Sequence, residues 1–309
     1  MAIMKFDIPS ETMGRQVTFE ALVPAESLRE GEKLKTLYLL HGVQGSYINW
    51  ITCTNIYRLL GTRNLRAGNL RAGNLRAGSL RTDGVHTQSL CGQDDAGEAV
   101  KLAVIMPSGG NGFYHPIPAG PDWGRQPNMG HQHDYEAFIA RELVEKTRQM
   151  LPLSHRREDT GIAGLSMGGY GALYLGIKYS DTFGFAGGLS SALLTQRTRD
   201  ENFVEEAFFR QPEFLDLVFG GFDENRIQND VFANALVLKH KAGTAGVPLE
   251  EALPEIYFAC GEQDPLLELN QKLDEDLSRV EIPHTFETHA GAHEWAFWEW
   301  GIERILERF

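Results

Sequence analysis

The sequence predicts an α/β protein: a mostly parallel, doubly wound sheet carrying a small helical cap. Three observations lead there. Short, continuous apolar runs alternate along the chain with segments of helical character. Several of those runs end in Gly-rich or polar loops, where open sheets of this kind present their ligand-binding residues. And Gly164-Leu165-Ser166-Met167-Gly168-Gly169 joins a strand-like segment to a helix-like one through a very sharp turn.

Taken in order, residues 16–23 read as an opening strand, and the apolar runs at 35–40 and 102–106 as buried strands. Residues 61–100 interrupt this alternation. Asn64-Leu65-Arg66-Ala67-Gly68 repeats at 69–73 and 74–78 and then decays. A five-residue period matches neither a helix face nor a strand face, and so few units cannot stack into a β-helix. The segment therefore reads as a tandem duplication in a tolerant surface loop. Residues 134–150 place Phe138, Leu143, Val144 and Thr147 near helical spacing. A strand at 159–165, a Gly/Ala/Leu-rich helix at 169–179 and a strand at 183–189 follow. Residues 191–250 contain no clear sheet strand and read as a helical excursion forming the cap. Its Phe203, Phe208, Phe209, Phe214, Leu217 and Phe219 line an acyl pocket or form the cap's own core. Strands at 255–260 and 284–289 alternate with helices at 266–280 and 295–308, the last crowded by Trp295, Phe297, Trp298 and Trp300. The whole chain, 1–309, is expected to form one domain.

The strand-turn-helix context around Ser166 is the one a G-x-S-x-G nucleophile elbow requires. Glycines at 164 and 168 remove the Cβ atoms that would collide across so tight a turn. The competing reading, a Gly-rich turn with an incidental serine, does not account for that context. A serine needs a base and an orienting acid, which in proteins with this elbow follow it in the order acid, then histidine. Asp264 lies in Gly261-Glu262-Gln263-Asp264-Pro265, just past a predicted strand; it could equally cap the helix that follows, and the two roles are compatible. Glu262 and Asp274 are rival acids. His293 lies in Ala290-Gly291-Ala292-His293-Glu294-Trp295, on a loop able to reach the serine, whereas His289 and His284 belong to the strand before it. The third component is His41-Gly42-Val43-Gln44-Gly45 after the early strand, which points to the backbone N–H groups of Val43 and Met167 as an oxyanion hole.

Around this core, His41, Gly42, Trp50, Tyr114 and Trp295 are the candidates for contact with a substrate, although His41 reads first as a brace for its loop and Trp50 first as packing. The run Gly109-Gly110-Asn111-Gly112-Phe113-Tyr114 lacks the G-K-[ST] ending of a phosphate loop. His115, His131 and His133 have no metal-ligand spacing and are expected to be solvent-exposed, so no metal and no organic cofactor is expected.

The segments Leu39-Leu40-His41-Gly42, Ala163 to Gly171, Cys260 to Asp264 and Ala290 to Trp295 resemble the esterase D-like, tributyrin-esterase-like branch of the α/β-hydrolase superfamily. Weaker similarity runs from Met106-Pro107 to Tyr114 and through 138–151. The resemblance implies an α/β-hydrolase fold and a serine esterase acting on short acyl groups, acetyl to butyryl, on small alcohols or sugars. The same branch includes feruloyl and acetyl-xylan esterases, S-formylglutathione hydrolases and acyltransferases, and these stay open as alternatives. So does a non-catalytic, hydrolase-like binding module, against which the full set Ser166, Asp264 and His293 argues.

Composition agrees. A net charge of −13 argues against nucleic acid or an anionic membrane surface as partner, leaving a small ester substrate; assembly into a homo-oligomer is left open. No apolar run approaches the length of a membrane span, and Asp7, Pro9 and Glu11 interrupt any signal-peptide-like core, so the chain reads as cytoplasmic. Cys53, Cys91 and Cys260 are an odd, sparse set that fits reduced thiols.

Overall fold

The computed structural model describes residues 1–30, 32–76, 100–116, 134–194, 218–219 and 228–309. Its centre is an eight-stranded sheet of order β1-β2-β4-β3-β5-β6-β7-β8. The strands are β1 (Ala2–Ser10), β2 (Arg15–Val23), β3 (Lys35–Leu40), β4 (Leu102–Pro107), β5 (Thr160–Leu165), β6 (Phe185–Leu189), β7 (Glu255–Gly261) and β8 (Thr285–His289). From β4 to β8 every neighbouring pair is parallel, while β1 and β2 form an antiparallel hairpin that joins β4 antiparallel. Strands β4, β5 and β6 are buried along their whole length, as their unbroken apolar runs demand of strands covered on both faces.

The helices are α1 (Ala25–Glu30), α2 (Asn49–Cys53), α3 (Ile56–Arg76), α4 (Tyr135–Ala137), α5 (Val144–Met150), α6 (Met167–Lys178), α7 (Val231–Ala245), α8 (Leu249–Ala252), α9 (Leu267–Arg279) and α10 (Trp295–Arg308). A π-helical turn, Phe138–Leu143, joins α4 to α5, so the amphipathic segment expected at 134–150 is one nearly continuous rod. Two apolar clusters flank the sheet. One gathers β1, β2 and the faces of α6 and α9; the other gathers Trp50, Ile56 and Leu60 with the apolar face of α10.

Two expectations are corrected. The N-terminal strand β1 was not anticipated, because Ile3 faces outward and masks a period-two pattern in which Ala2, Met4, Phe6 and Ile8 turn inward. Phe6 stacks on Phe19 of β2 at 4.8 Å. The second concerns the repeats. Helix α3 runs through Asn64 to Arg76, so much of the repeated sequence is helical rather than loop. Two of its positions find partners on the sheet edge: Ala67 is buried, and Asn64 both donates to the carbonyl of Leu102 (2.9 Å) and accepts its N–H (2.8 Å). Leu65 stays 69% exposed. Residues 77–99 lie outside the described residues, as do Phe203, Phe208, Phe209, Phe214 and Leu217 of the expected cap.

Candidate active site

Three strands of the parallel half end at one edge, and each delivers one side chain there. Ser166 follows β5 directly, with φ 54° and ψ −117°, outside the comfortable region for a residue bearing a Cβ. The turn is held by Ser166 N–H donating to Leu189 O (2.8 Å) and by Tyr170 and Ala192 N–H donating to Ser166 O (3.0 Å each). Glycine is required on both sides: a Cβ at 164 would overlap the backbone of Gly168, and one at 168 would lie 2.6 Å from His41 O.

His293, on the loop between β8 and α10, places Nε2 3.0 Å from Ser166 Oγ and Nδ1 2.9 Å from Asp264 Oδ2. Asp264 lies just beyond β7 with its side chain fully buried. Its other oxygen accepts the Leu266 N–H at 2.8 Å in the turn leading into α9, so one carboxylate both caps that turn and orients the histidine. Burial pushes the Asp264 carboxyl pKa upward, but hydrogen bonds from His293, Leu266 and Ser190 outweigh this and hold it below the ordinary value. The rivals are elsewhere. Glu262 is exposed, Asp274 pairs with His284 at 2.9 Å, and His289 stacks on Trp300 at 4.2 Å.

The His41-Gly42-Val43 loop faces the elbow and is braced from beneath. His41 is buried; its Nε2 accepts the Gly109 N–H (2.8 Å), so its proton sits on Nδ1 and donates to Gly42 O (2.7 Å). Gly45 N–H donates to the same carbonyl at 3.1 Å. Because a peptide is planar, fixing the Gly42 carbonyl also fixes the direction of the Val43 N–H. Burial lowers the His41 pKa, keeping the ring neutral and its tautomer constant. Asn111 Oδ1 accepts the Gln44 N–H (2.8 Å), and Tyr114 donates to His41 O (2.9 Å). The second expected donor, the Met167 N–H, is the first of α6 and so has no partner within the helix.

The substrate-contact candidates divide. Gly42 borders Ser166, and Trp295 is part-buried against Trp50 and Trp298. His41, Trp50 and Tyr114 are instead buried to 1% exposure or less, with polar atoms spent internally (the Trp50 N–H donates to Leu40 O), so they support the site from below rather than line it. His115 is corrected outright. It is buried, in contact with Tyr170, Tyr174 and Phe219 and hydrogen-bonded to Tyr170 Oη, and burial drives its pKa down to about 3. The local sequence reads as a Gly/Pro-rich loop; only the aromatic face of α6 and Phe219 close over it. His131 and His133 lie outside the described residues. Asn111 as a loop clamp, and Ser190 beside the acid, were not singled out from sequence; nothing in their spacing signals either role.

The sheet order, the elbow after β5 and the loops after β7 and β8 define the α/β-hydrolase fold. Solved structures agree: the fluorophosphonate-binding serine hydrolase FphF of Staphylococcus aureus (23% identity, TM-score 0.68, 99% of this chain and 96% of that one), and the S-formylglutathione hydrolase FrmB of the same organism (24% identity, TM-score 0.68, 99% and 97%). A family model, Esterase ("Putative esterase"), matches residues 85–309. An acetyl esterase of Caldicellulosiruptor saccharolyticus is 30% identical over 99% of this chain and 97% of its own length. The chain belongs to this esterase family and is a carboxylic ester hydrolase of the esterase D-like kind. Among the described residues no helix is long and apolar enough to cross a membrane.

Proposed function

We propose that the protein is a serine carboxylesterase that removes short acyl groups, acetyl to butyryl, from small alcohols or acylated sugars. The observation that carries this reading is the unbroken relay from Ser166 Oγ through His293 to buried Asp264, set on a strained elbow. The 30% identity to an acetyl esterase over almost the whole chain supports the acyl class.

In this reading Ser166 Oγ attacks the ester carbonyl as His293 Nε2 takes its proton. Asp264 holds the Nδ1–H tautomer and stabilises the imidazolium. The N–H groups of Val43 and Met167 accept the negative charge that develops on the carbonyl oxygen, and an aimed donor of this type is worth about 10²–10³ in kcat. His293 then protonates the leaving alcohol. Water, activated by the same imidazole, attacks the acyl-enzyme, releases the acid and regenerates Ser166.

The test is hydrolysis of p-nitrophenyl esters from acetate to octanoate, with methyl ferulate alongside and Ser166→Ala as the control. The expected result is turnover confined to short chains and lowered at least about 10³-fold by Ser166→Ala. Turnover surviving in Ser166→Ala removes the mechanism. Preference for ferulate or octanoate removes the short-acyl assignment and leaves the serine mechanism standing.

A further inference from the structure

Ser190 is the first residue after β6, between the strands that deliver Ser166 and Asp264, and is fully buried. Its backbone is in the left-handed region at φ 47°, where a residue with a Cβ is strained. The Ser190 N–H donates to Ala259 O at 2.8 Å, fixing it against β7. This geometry aims its hydroxyl into the small space behind the Asp264 carboxylate.

The hydrogen-bond directions can be assigned. Trp298 Nε1 can only donate, and it donates to Ser190 Oγ at 3.1 Å. The Ser190 proton is thus left for another acceptor, and its neighbours are the Cys260 thiol and the Asp264 carboxylate. Burial, together with the charge of Asp264, keeps Cys260 protonated, and a neutral thiol is a weak acceptor. The carboxylate takes the proton. The Trp298 ring that holds Ser190 also stands edge-on to His293, with centroids 4.9 Å apart at 89°. One indole therefore touches the base with its ring and secures the acid's support with its N–H.

We propose that Ser190, held by Trp298, is a positioning residue for the Asp264–His293 pair: its hydroxyl supplies the buried carboxylate with a third donor, besides His293 and the Leu266 N–H, and so sets how strongly the acid holds the imidazolium. This rests on the triad reading above. With the Ser190 donor gone, the carboxylate is less satisfied and holds the imidazolium proton more tightly. The neutral base is then reached only at higher pH. The other ionisable groups near the pair are the neutral Cys260 thiol on β7 and Glu294 at the start of α10, whose carboxylate accepts the Ala292 N–H.

The experiment compares kcat, KM and the pH profile of kcat/KM on p-nitrophenyl acetate for Ser190→Ala, Ser190→Gly and Trp298→Phe, with folding followed by thermal unfolding. Ser190→Gly is the decisive variant, because glycine relieves the positive-φ strain while removing the hydroxyl. The expected result is a folded Ser190→Gly protein with kcat lowered roughly tenfold, KM nearly unchanged and the acid limb of the profile displaced to higher pH. Trp298→Phe, which keeps a ring beside His293, is expected to displace the limb in the same direction by less. Folded Ser190→Gly with wild-type kcat and an unmoved acid limb would overturn the proposal, as would a loss confined to KM. Failure of the triad reading is distinguishable, since it would leave Ser166→Ala active.

Discussion

At the residue scale the site depends on oriented partners more than on residue types. Ten histidines are present, and burial and hydrogen bonding separate their roles. His41 is neutral and locked, and His115 is neutral and enclosed, while part-exposed His293 alone among the described residues is hydrogen-bonded to Ser166. His289 is four residues from His293, yet its ring is stacked on Trp300 and its Nδ1 is paired with Ala290 O. His293→Ala is accordingly expected to lower kcat/KM by about 10³-fold or more. His289→Ala should change it less than about threefold, because a stacked, exposed ring contributes little. Steady-state rates on p-nitrophenyl acetate decide this, and the reverse ranking would reassign the base.

At the element scale, α3 is the instructive case. Its repeats show no amphipathic period, and tertiary contact decides which unit matters. Asn64 bridges both backbone groups of Leu102 at the entrance of β4. Asn64→Ala would leave a buried donor and a buried acceptor unpaired, with an expected loss of about 1–3 kcal/mol. Leu65, 69% exposed in the same repeat, should tolerate Ser within about 0.5 kcal/mol. Thermal unfolding of the two variants reads the contrast, and equal effects would refute the anchoring role. The β1–β2 hairpin and the π-turn in the 134–150 helix make the same point. An outward Ile3 hides the strand's alternation, and a π-turn leaves no signature in residue spacing.

At the scale of the whole molecule, the rod beginning at α4 is tied to the nucleophile helix α6 by one carboxylate. Glu136 accepts hydrogen bonds from Tyr174 (2.5 Å) and Tyr179 (2.7 Å), and an ion pair from Lys178 (2.7 Å). Burial raises the Glu136 pKa, but the bonds from Lys178, Tyr174 and Tyr179 prevail and hold it below the ordinary 4.5. A carboxyl with a depressed folded value contributes stability that is present above its unfolded value and lost as pH falls through the folded one. Glu136→Gln should therefore lower Tm at pH 7 and flatten the decline of Tm below about pH 4.5. A variant whose Tm falls with acid as steeply as the parent's would show that other groups drive acid unfolding.

The sequence by itself determined the alternation of buried runs and helices, the elbow, and the loops holding Asp264 and His293. Each is a local property: a period, a glycine where a Cβ cannot fit, a polar residue at the end of an apolar run. Tertiary structure decided what depends on packing between distant segments. It turned His41, Trp50 and Tyr114 from pocket candidates into supports and enclosed His115 under aromatic rings. It also brought Ser190 and Trp298, 108 positions apart, to the back of one carboxylate. No local pattern encodes such meetings, because the sheet order that makes β6 the neighbour of both β5 and β7 is set by burial of the whole core.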